Sequence, residues 1–192
     1  VRRFGAWFRE RLAAPLADLV VRALDTRPDE TVLEIGCSVG EIVHRLVAEG
    51  HVRRIAAIDA SAANVEAARQ LNRAAIRDRM VDIRQGLVSE LPFRDGGFDV
   101  VFAARGVSGW RLRGDLEEVL RVLKPGGRVL LGIRALPGGR ARRKIELVLR
   151  TLPPAGFVEV TVEEIRRWGL RLLVIGAKRP IWSGGPYDAF VA

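Results

Sequence analysis

Cysteine is nearly absent from this sequence. Cys37 is the single one, so no disulfide can form within the chain, and no His/Cys spacing of the kind that holds a tetrahedral zinc occurs. Structural zinc and any other metal are therefore not expected. Histidine is as sparse, with His44 and His51 both reading as helix-end or surface residues. Long hydrophobic runs are missing too. Nowhere do about 20 apolar residues follow one another, so no membrane-spanning helix is predicted. The amino end carries Arg2, Arg3, Arg9 and Glu10 among its apolar residues, unlike a signal-peptide core. The expected compartment is the cytoplasm. Lysine is confined to Lys124, Lys144 and Lys178, so the net charge of +9 rests mostly on arginine. Such a balance attracts anionic partners at long range. The arginines are spread along the chain, however, which reads as a solvated, arginine-rich surface rather than a nucleic-acid recognition stripe.

What is present is a core. The 192 residues are 48% hydrophobic, enough for one domain and too few for two ordinary ones. Residues 4–25 place Phe4, Trp7, Phe8, Leu12, Leu16, Leu19, Val20 and Ala23 at helical spacing, interrupted by Pro15. From Thr31 the period changes. Strands are predicted over 31–35, 54–59, 80–86 and 98–104, and a turn at 124–127 leads into a fifth ending at 134. Between them lie helices over 41–50, closed by Gly50, over 61–75, capped by Ser61, and over 112–123. Strands that alternate with helices imply crossover connections and a parallel sheet covered on both faces. After a basic helix at 138–152 the order changes: strands at 156–165 and 170–178 are joined only by "RRWG", a link short enough for an antiparallel pair at one edge. The chain divides into an N-terminal helical segment (1–27), a central domain (28–178) and an irregular tail (179–192).

Chemistry concentrates in "VLEIGCSVGE", residues 32–41. Glycines 36 and 40 fall after a strand and before a helix, where backbone can approach a ligand closely. A dinucleotide loop would place glycine at 38 and 41 as well, but Ser38 and Glu41 stand there, and the Gly-Lys-Ser/Thr of a P-loop is absent. Glu34 and Glu41 would repel a pyrophosphate. They suit a ligand with a cationic or hydroxyl-rich part. Asp59, about 20 residues beyond the turn at the end of the second strand, is placed to accept hydrogen bonds from ribose hydroxyls. These features together point to a nucleoside without a pyrophosphate.

With those residues in view, the sequence resembles the class I S-adenosylmethionine-dependent methyltransferases, especially the UbiE-like, type 11 group. "VLEIGCSVG" is similar to that family's E/D-x-G-x-G-x-G loop, "AAIDAS" to its second-strand acid, "RQGLVSELPFRDGGFDVVFA" to its G-D-A-x-x-L-P-F…F-D segment, and "LEEVLRVLKPGGRVLL" to its R-V-L-K-P-G-G turn. The four occur in order and at family spacing over residues 28–178. The resemblance implies a Rossmann-like, doubly wound α/β fold with a seven-stranded, mostly parallel sheet and an antiparallel edge strand. It implies S-adenosyl-L-methionine as cofactor and S-adenosyl-L-homocysteine as product. Glu34, Gly36, Cys37, Ser38 and Gly40 would surround the methionine end, with Glu34 at the ammonium group. Asp59 would hold the ribose and Ala60 would pack on the adenine. Gly86, Leu87 and Val88 would frame the adenine edge, and Ala103 and Ala104 would lie beside the transferable methyl.

Two positions depart from the family pattern. Ser38 replaces the middle glycine of the loop. Leu87 stands where many members have an aspartate, a lost hydrogen bond worth about 0.5–1.5 kcal/mol. The catalytic group is left open, with Arg105 and Trp110 as candidates because loops at the carboxyl ends of parallel strands form the ligand crevice. The leading expectation is methyl transfer to a small-molecule acceptor by in-line displacement, with no fixed base required. No N/D-P-P-Y/F run follows the fourth strand, and the lone cysteine lies in the cofactor turn, which disfavours two nucleic-acid methylation routes. An RNA- or ribosome-directed methyltransferase is the first alternative. A non-catalytic cofactor-binding or interaction protein is the second. Phe4, Trp7 and Phe8 could form an apolar lid over the acceptor or simply bury against the domain. Nothing in the sequence indicates an oligomeric state.

Overall fold

Four strands of the sheet carry near-continuous apolar runs, which is how parallel strands covered on both faces read. The computed structural model describes residues 16–105, 107, 109–134, 140–167 and 170–181. A helix at 16–24 (α1) is followed by β1 (Thr31–Ile35), α2 (Glu41–Ala48), β2 (Arg54–Asp59), α3 (Ala62–Leu71), α4 (Arg73–Arg77), β3 (Val81–Gln85) and β4 (Phe98–Ala103). The second half comprises α5 (Leu112–Val122), β5 (Leu123–Arg134), α6 (Arg140–Thr151), β6 (Val158–Arg167) and β7 (Leu170–Lys178). The amino-terminal residues 1–15, which include Phe4, Trp7 and Phe8, and the tail from 182 onward lie outside the described residues.

All seven strands form one sheet in the order β3-β2-β1-β4-β5-β7-β6. The pairs β1·β2, β1·β4, β2·β3 and β4·β5 are parallel, whereas β7 runs antiparallel to both β5 and β6. The expected edge pair is therefore antiparallel, with β7 inserted between β5 and an outermost β6. The chain leaves β1 toward β2 and β3 on one side and later returns to build β4 and β5 on the other. This reversal between β1 and β4 is the topological switch point, and a crevice opens there beyond the strands' carboxyl ends.

Alternate strand residues feed two cores. Val32, Ala57, Val100 and Phe102 pack with Leu19, Val20 and Leu24 of α1, with Val43 and Leu46 of α2, and with Val65 and Ala68 of α3. Leu33, Ala56, Val101 and Leu131 pack on the other face with Leu116 and Val119 of α5 and Val148 of α6. The period of two sorts neighbouring residues to opposite layers.

The segment read as one helix over 61–75 is two. α3 ends at Leu71, Asn72 takes φ −103 and ψ 16, and α4 restarts at Arg73. Asn72 is buried, and its Nδ2 donates to the carbonyls of Ala68 (2.9 Å) and Gly40 (3.1 Å). The side-chain amide thus competes with helical backbone bonding. The break ties α3 to the glycine turn.

Candidate functional site

The first glycine turn is shaped by three residues in the left-handed region, Gly36 (φ 77), Ser38 (φ 53) and Gly40 (φ 79). The N–H groups of Gly36 and Cys37 both donate to the Ile58 carbonyl, at 2.8 and 3.0 Å, so the turn folds over the end of β2. The Asp59 carboxylate then fixes it. Oδ2 accepts from the Ser38 N–H at 2.8 Å, and Oδ1 accepts from the Ser61 N–H at 2.9 Å and Asn64 Nδ2 at 3.0 Å. A carboxylate offers roughly four lone-pair positions, so about one is left for a ligand donor.

The cleft beside this turn has a volume of about 460 Å³, within the usual range for a small-molecule site. The loops after four parallel strands build it. Gly36 and Ser38 follow β1, Asp59 and Ala60 close β2, Gly86, Leu87 and Val88 follow β3, and Arg105 and Trp110 follow β4. Nine positions singled out in the sequence are thus brought to one cavity. Leu87 is exposed at its rim, an apolar surface in place of a carboxylate.

Other expected residues lie behind the walls. Cys37 is buried, and burial, with the charges of Glu34 and Asp59, pushes its thiol above the ordinary range, so it stays protonated and packs. Gly40 faces α3, because a Cβ there would come within 2.8 Å of Asn72 Nδ2 and 2.9 Å of Ala68 Cβ. Gly36 has open space where its Cβ would be, so its own requirement is the positive φ. Ala103 and Ala104 are buried in opposite cores and do not line the cleft. Asn64 does line it and was not read from the sequence, although its place in the first turn after the Ser61 cap faces it toward Asp59. Ile35, Ile58 and Gly109 complete the lining.

Glu34 sits beneath this floor at 1% exposure, and its Oε2 has no hydrogen-bond partner among the described residues. Burial pushes its pKa up to about 8, opposed by the charge of Arg105 and reinforced by that of Asp59. An orphaned carboxylate oxygen in a dry site is costly unless a donor or cation meets it. Glu34 for an ammonium and Asp59 for a hydroxyl fit the two polar ends of a nucleoside amino acid. Among the described residues no group of three or more His, Cys, Asp and Glu side chains could hold a metal.

The model of the family described as a methyltransferase domain matches residues 33–131, spanning β1 to β5. A 27-O-demethylrifamycin SV methyltransferase of Amycolatopsis mediterranei is 32% identical over 128 residues, covering 64% of this chain and 45% of that protein. Among solved structures, the cyclase SpnF superposes with a TM-score of 0.70 at 22% identity, covering 90% of this chain and 83% of that one. Geranyl diphosphate C-methyltransferase from Streptomyces coelicolor A3(2), in complex with Mg2+, geranyl diphosphate and S-adenosyl-L-homocysteine, does so at 0.66 and 18%, covering 88% and 80%. The chain spans 19–51% of the length of the curated relatives it matches. With the glycine turn, the second-strand acid and the strand order agreeing with the matched span, the chain belongs to the class I S-adenosylmethionine-dependent methyltransferases, in the UbiE-like, type 11 group.

Proposed function

We propose that the cleft at the carboxyl ends of β1, β2 and β4 binds S-adenosyl-L-methionine and that the protein transfers its methyl group to a small-molecule acceptor. The observation that carries this reading is the division of labour between two acids, a buried Glu34 with an unpartnered oxygen and an Asp59 fixed on the Ser38 N–H. When bound, the cofactor supplies a methyl group already activated on a sulfonium. Glu34 would hold the ammonium group as a carboxylate, its proton passing to solvent. Asp59 orients the ribose with its remaining lone pair, and Leu87 and Val88 offer apolar surface to the adenine. Arg105 and Trp110, on the wall built by the β4 loop, are left to position the acceptor. The chemistry is an in-line displacement to which the protein contributes orientation and exclusion of water. Support for a small acceptor comes from the relatives' names, which include demethylmenaquinone and 27-O-demethylrifamycin SV methyltransferases.

Calorimetry with S-adenosyl-L-homocysteine tests the reading. Saturable one-to-one binding that Asp59→Ala weakens is expected. Absence of binding at millimolar concentration overturns it in favour of a non-catalytic member of the fold.

A further inference from the structure

The same parallel strands have a second recess at their opposite, amino ends. Thr31, Arg54, Val81 and Phe98, the first residues of β1, β2, β3 and β4, all line it, and its volume is about 490 Å³. Four arginines converge there from four segments: Arg54 at the start of β2, Arg79 in the turn before β3, Arg84 within β3 and Arg94 in the β3–β4 loop. Asp82 is the one carboxylate among the lining residues.

One carboxylate serves the four guanidinium groups. Arg84 is held by Asp82 at 2.6 Å, donates to the Pro92 carbonyl at 2.9 Å and stacks on Phe93 with its guanidinium carbon 5.0 Å from the ring centre. Arg54 Nε donates to the Arg79 carbonyl at 3.2 Å, and its guanidinium meets no carboxylate among the described residues. The Arg79 and Arg94 guanidinium groups have no hydrogen-bond or ion-pair partner among the described residues. Arg45, Arg113, Arg142 and Arg166 on other surfaces each pair with a glutamate. Arg53, Arg73, Arg143 and Arg150, like Arg79 and Arg94, have no such partner among the described residues, so it is the gathering of four arginines in one recess that sets this place apart. Arg79 also holds φ 57, a conformation costing roughly 1–2 kcal/mol in a non-glycine residue. That backbone presents the carbonyl that orients Arg54.

Four arginines against one carboxylate give the recess a positive potential that favours an anion. Guanidinium groups present paired donors that match phosphate oxygens. A concave recess of this volume suits a small ligand, whereas an extended nucleic acid is met by a stripe. The geometry points to a second binding site, at the amino ends of β1–β4, for the phosphate chain of a small polyphosphorylated molecule, separate from the cofactor cleft.

The test is calorimetric titration of the chain with inorganic triphosphate at low ionic strength, with and without saturating S-adenosyl-L-homocysteine. One-to-one binding that is unaffected by S-adenosyl-L-homocysteine is expected. Arg94→Gln and Arg79→Gly should each weaken it about tenfold, while Arg142→Gln on α6 leaves it unchanged within about twofold. Arg79→Gly removes the charge and relieves the left-handed backbone, so a melting curve at or above the parent's shows that lost binding is not lost folding. A nucleoside triphosphate that binds as tightly as inorganic triphosphate, or more tightly, supports the site in either case. Equal weakening by Arg142→Gln, displacement by S-adenosyl-L-homocysteine, or no binding overturns the proposal. So does a short single-stranded RNA that binds through Arg79 and Arg94 more tightly than triphosphate, since the recess would then belong to a nucleic-acid surface.

Discussion

Two buried glutamates mark the two ends of β1 and are treated in opposite ways. Glu30, just before the strand, is 2% exposed and fully engaged. Arg128 donates to both of its oxygens, at 2.6 and 3.0 Å, and the Arg27 N–H adds a bond at 2.9 Å. Burial alone would raise its pKa, but the hydrogen bonds and charges of Arg128 and Arg27 hold it below the ordinary carboxylate value. Glu34, four residues on, is buried to the same degree with one oxygen unpartnered and a pKa raised to about 8. The protein completes the environment of Glu30 and leaves one oxygen of Glu34 without a partner among the described residues. The two recesses also differ in charge: Asp59 and Arg105 line the one at the carboxyl ends, and four arginines with one aspartate line the one at the amino ends.

The largest effect expected from breaking this contrast is at Glu30. Glu30→Ala strands the partly buried Arg128 and should cost about 3–5 kcal/mol of stability in urea unfolding; a loss below 1 kcal/mol would show the pair to be incidental. Its lowered pKa makes Glu30 a source of stability above the unfolded value near 4.5, and that contribution fades as the pH falls below it.

Next comes the ligand-facing end. Asp59→Ala should reduce affinity for S-adenosyl-L-homocysteine about a hundredfold, because it removes the ribose acceptor and frees the Ser38 turn together. Triphosphate binding at the other recess should not change. Loss of both, with the fold intact by circular dichroism, would mean that the two sites are not separate.

Glu34 has the opposite pH behaviour from Glu30. With a folded pKa near 8 and an unfolded value near 4.5, its ionisation costs stability, so the ligand-free protein should weaken as the pH rises between those values. Glu34→Gln should abolish that decline. Affinity for S-adenosyl-L-homocysteine should instead rise with pH toward 8, by up to about tenfold per unit, with release of a proton. Calorimetry in buffers of differing ionisation enthalpy measures that proton directly, and a pH-independent affinity would show Glu34 to be ionised before the ligand arrives.

The smallest effect belongs to Ser38. Glycine there relieves a left-handed conformation costing roughly 1–2 kcal/mol but gives part of that back to the unfolded chain. Ser38→Gly should therefore raise the melting midpoint by about 2 °C, and a fall would indicate that the serine side chain has a stabilising contact in solution.

Much of the cleft at the carboxyl ends was legible because its markers are local. The glycine turn, the acid closing β2 and the loops after β3 and β4 each occupy a few consecutive residues, and parallel topology brings strand ends together without further instruction. Positions whose roles depend on side-chain direction were not legible. Ala103 and Ala104 are adjacent, yet the strand's alternation sends them into opposite cores. Asn72 looked like a polar position within one helix, but its bond to Gly40, 32 residues away, breaks that helix. The arginine recess was also hidden, since Arg54, Arg79, Arg84 and Arg94 are scattered in the sequence and line one recess only once β3 has paired with β2.

The amino-acid sequence by itself determined the alternating α/β architecture, the class of ligand its turn excludes and the family, because hydrophobic period and short motifs act over one or two turns of chain. The tertiary structure decided which charges are satisfied. Glu30 finds Arg128 across 98 residues and Ser38 finds Asp59 across 21, and whether a buried carboxylate is paired or left open depends on such partners, which no local pattern encodes.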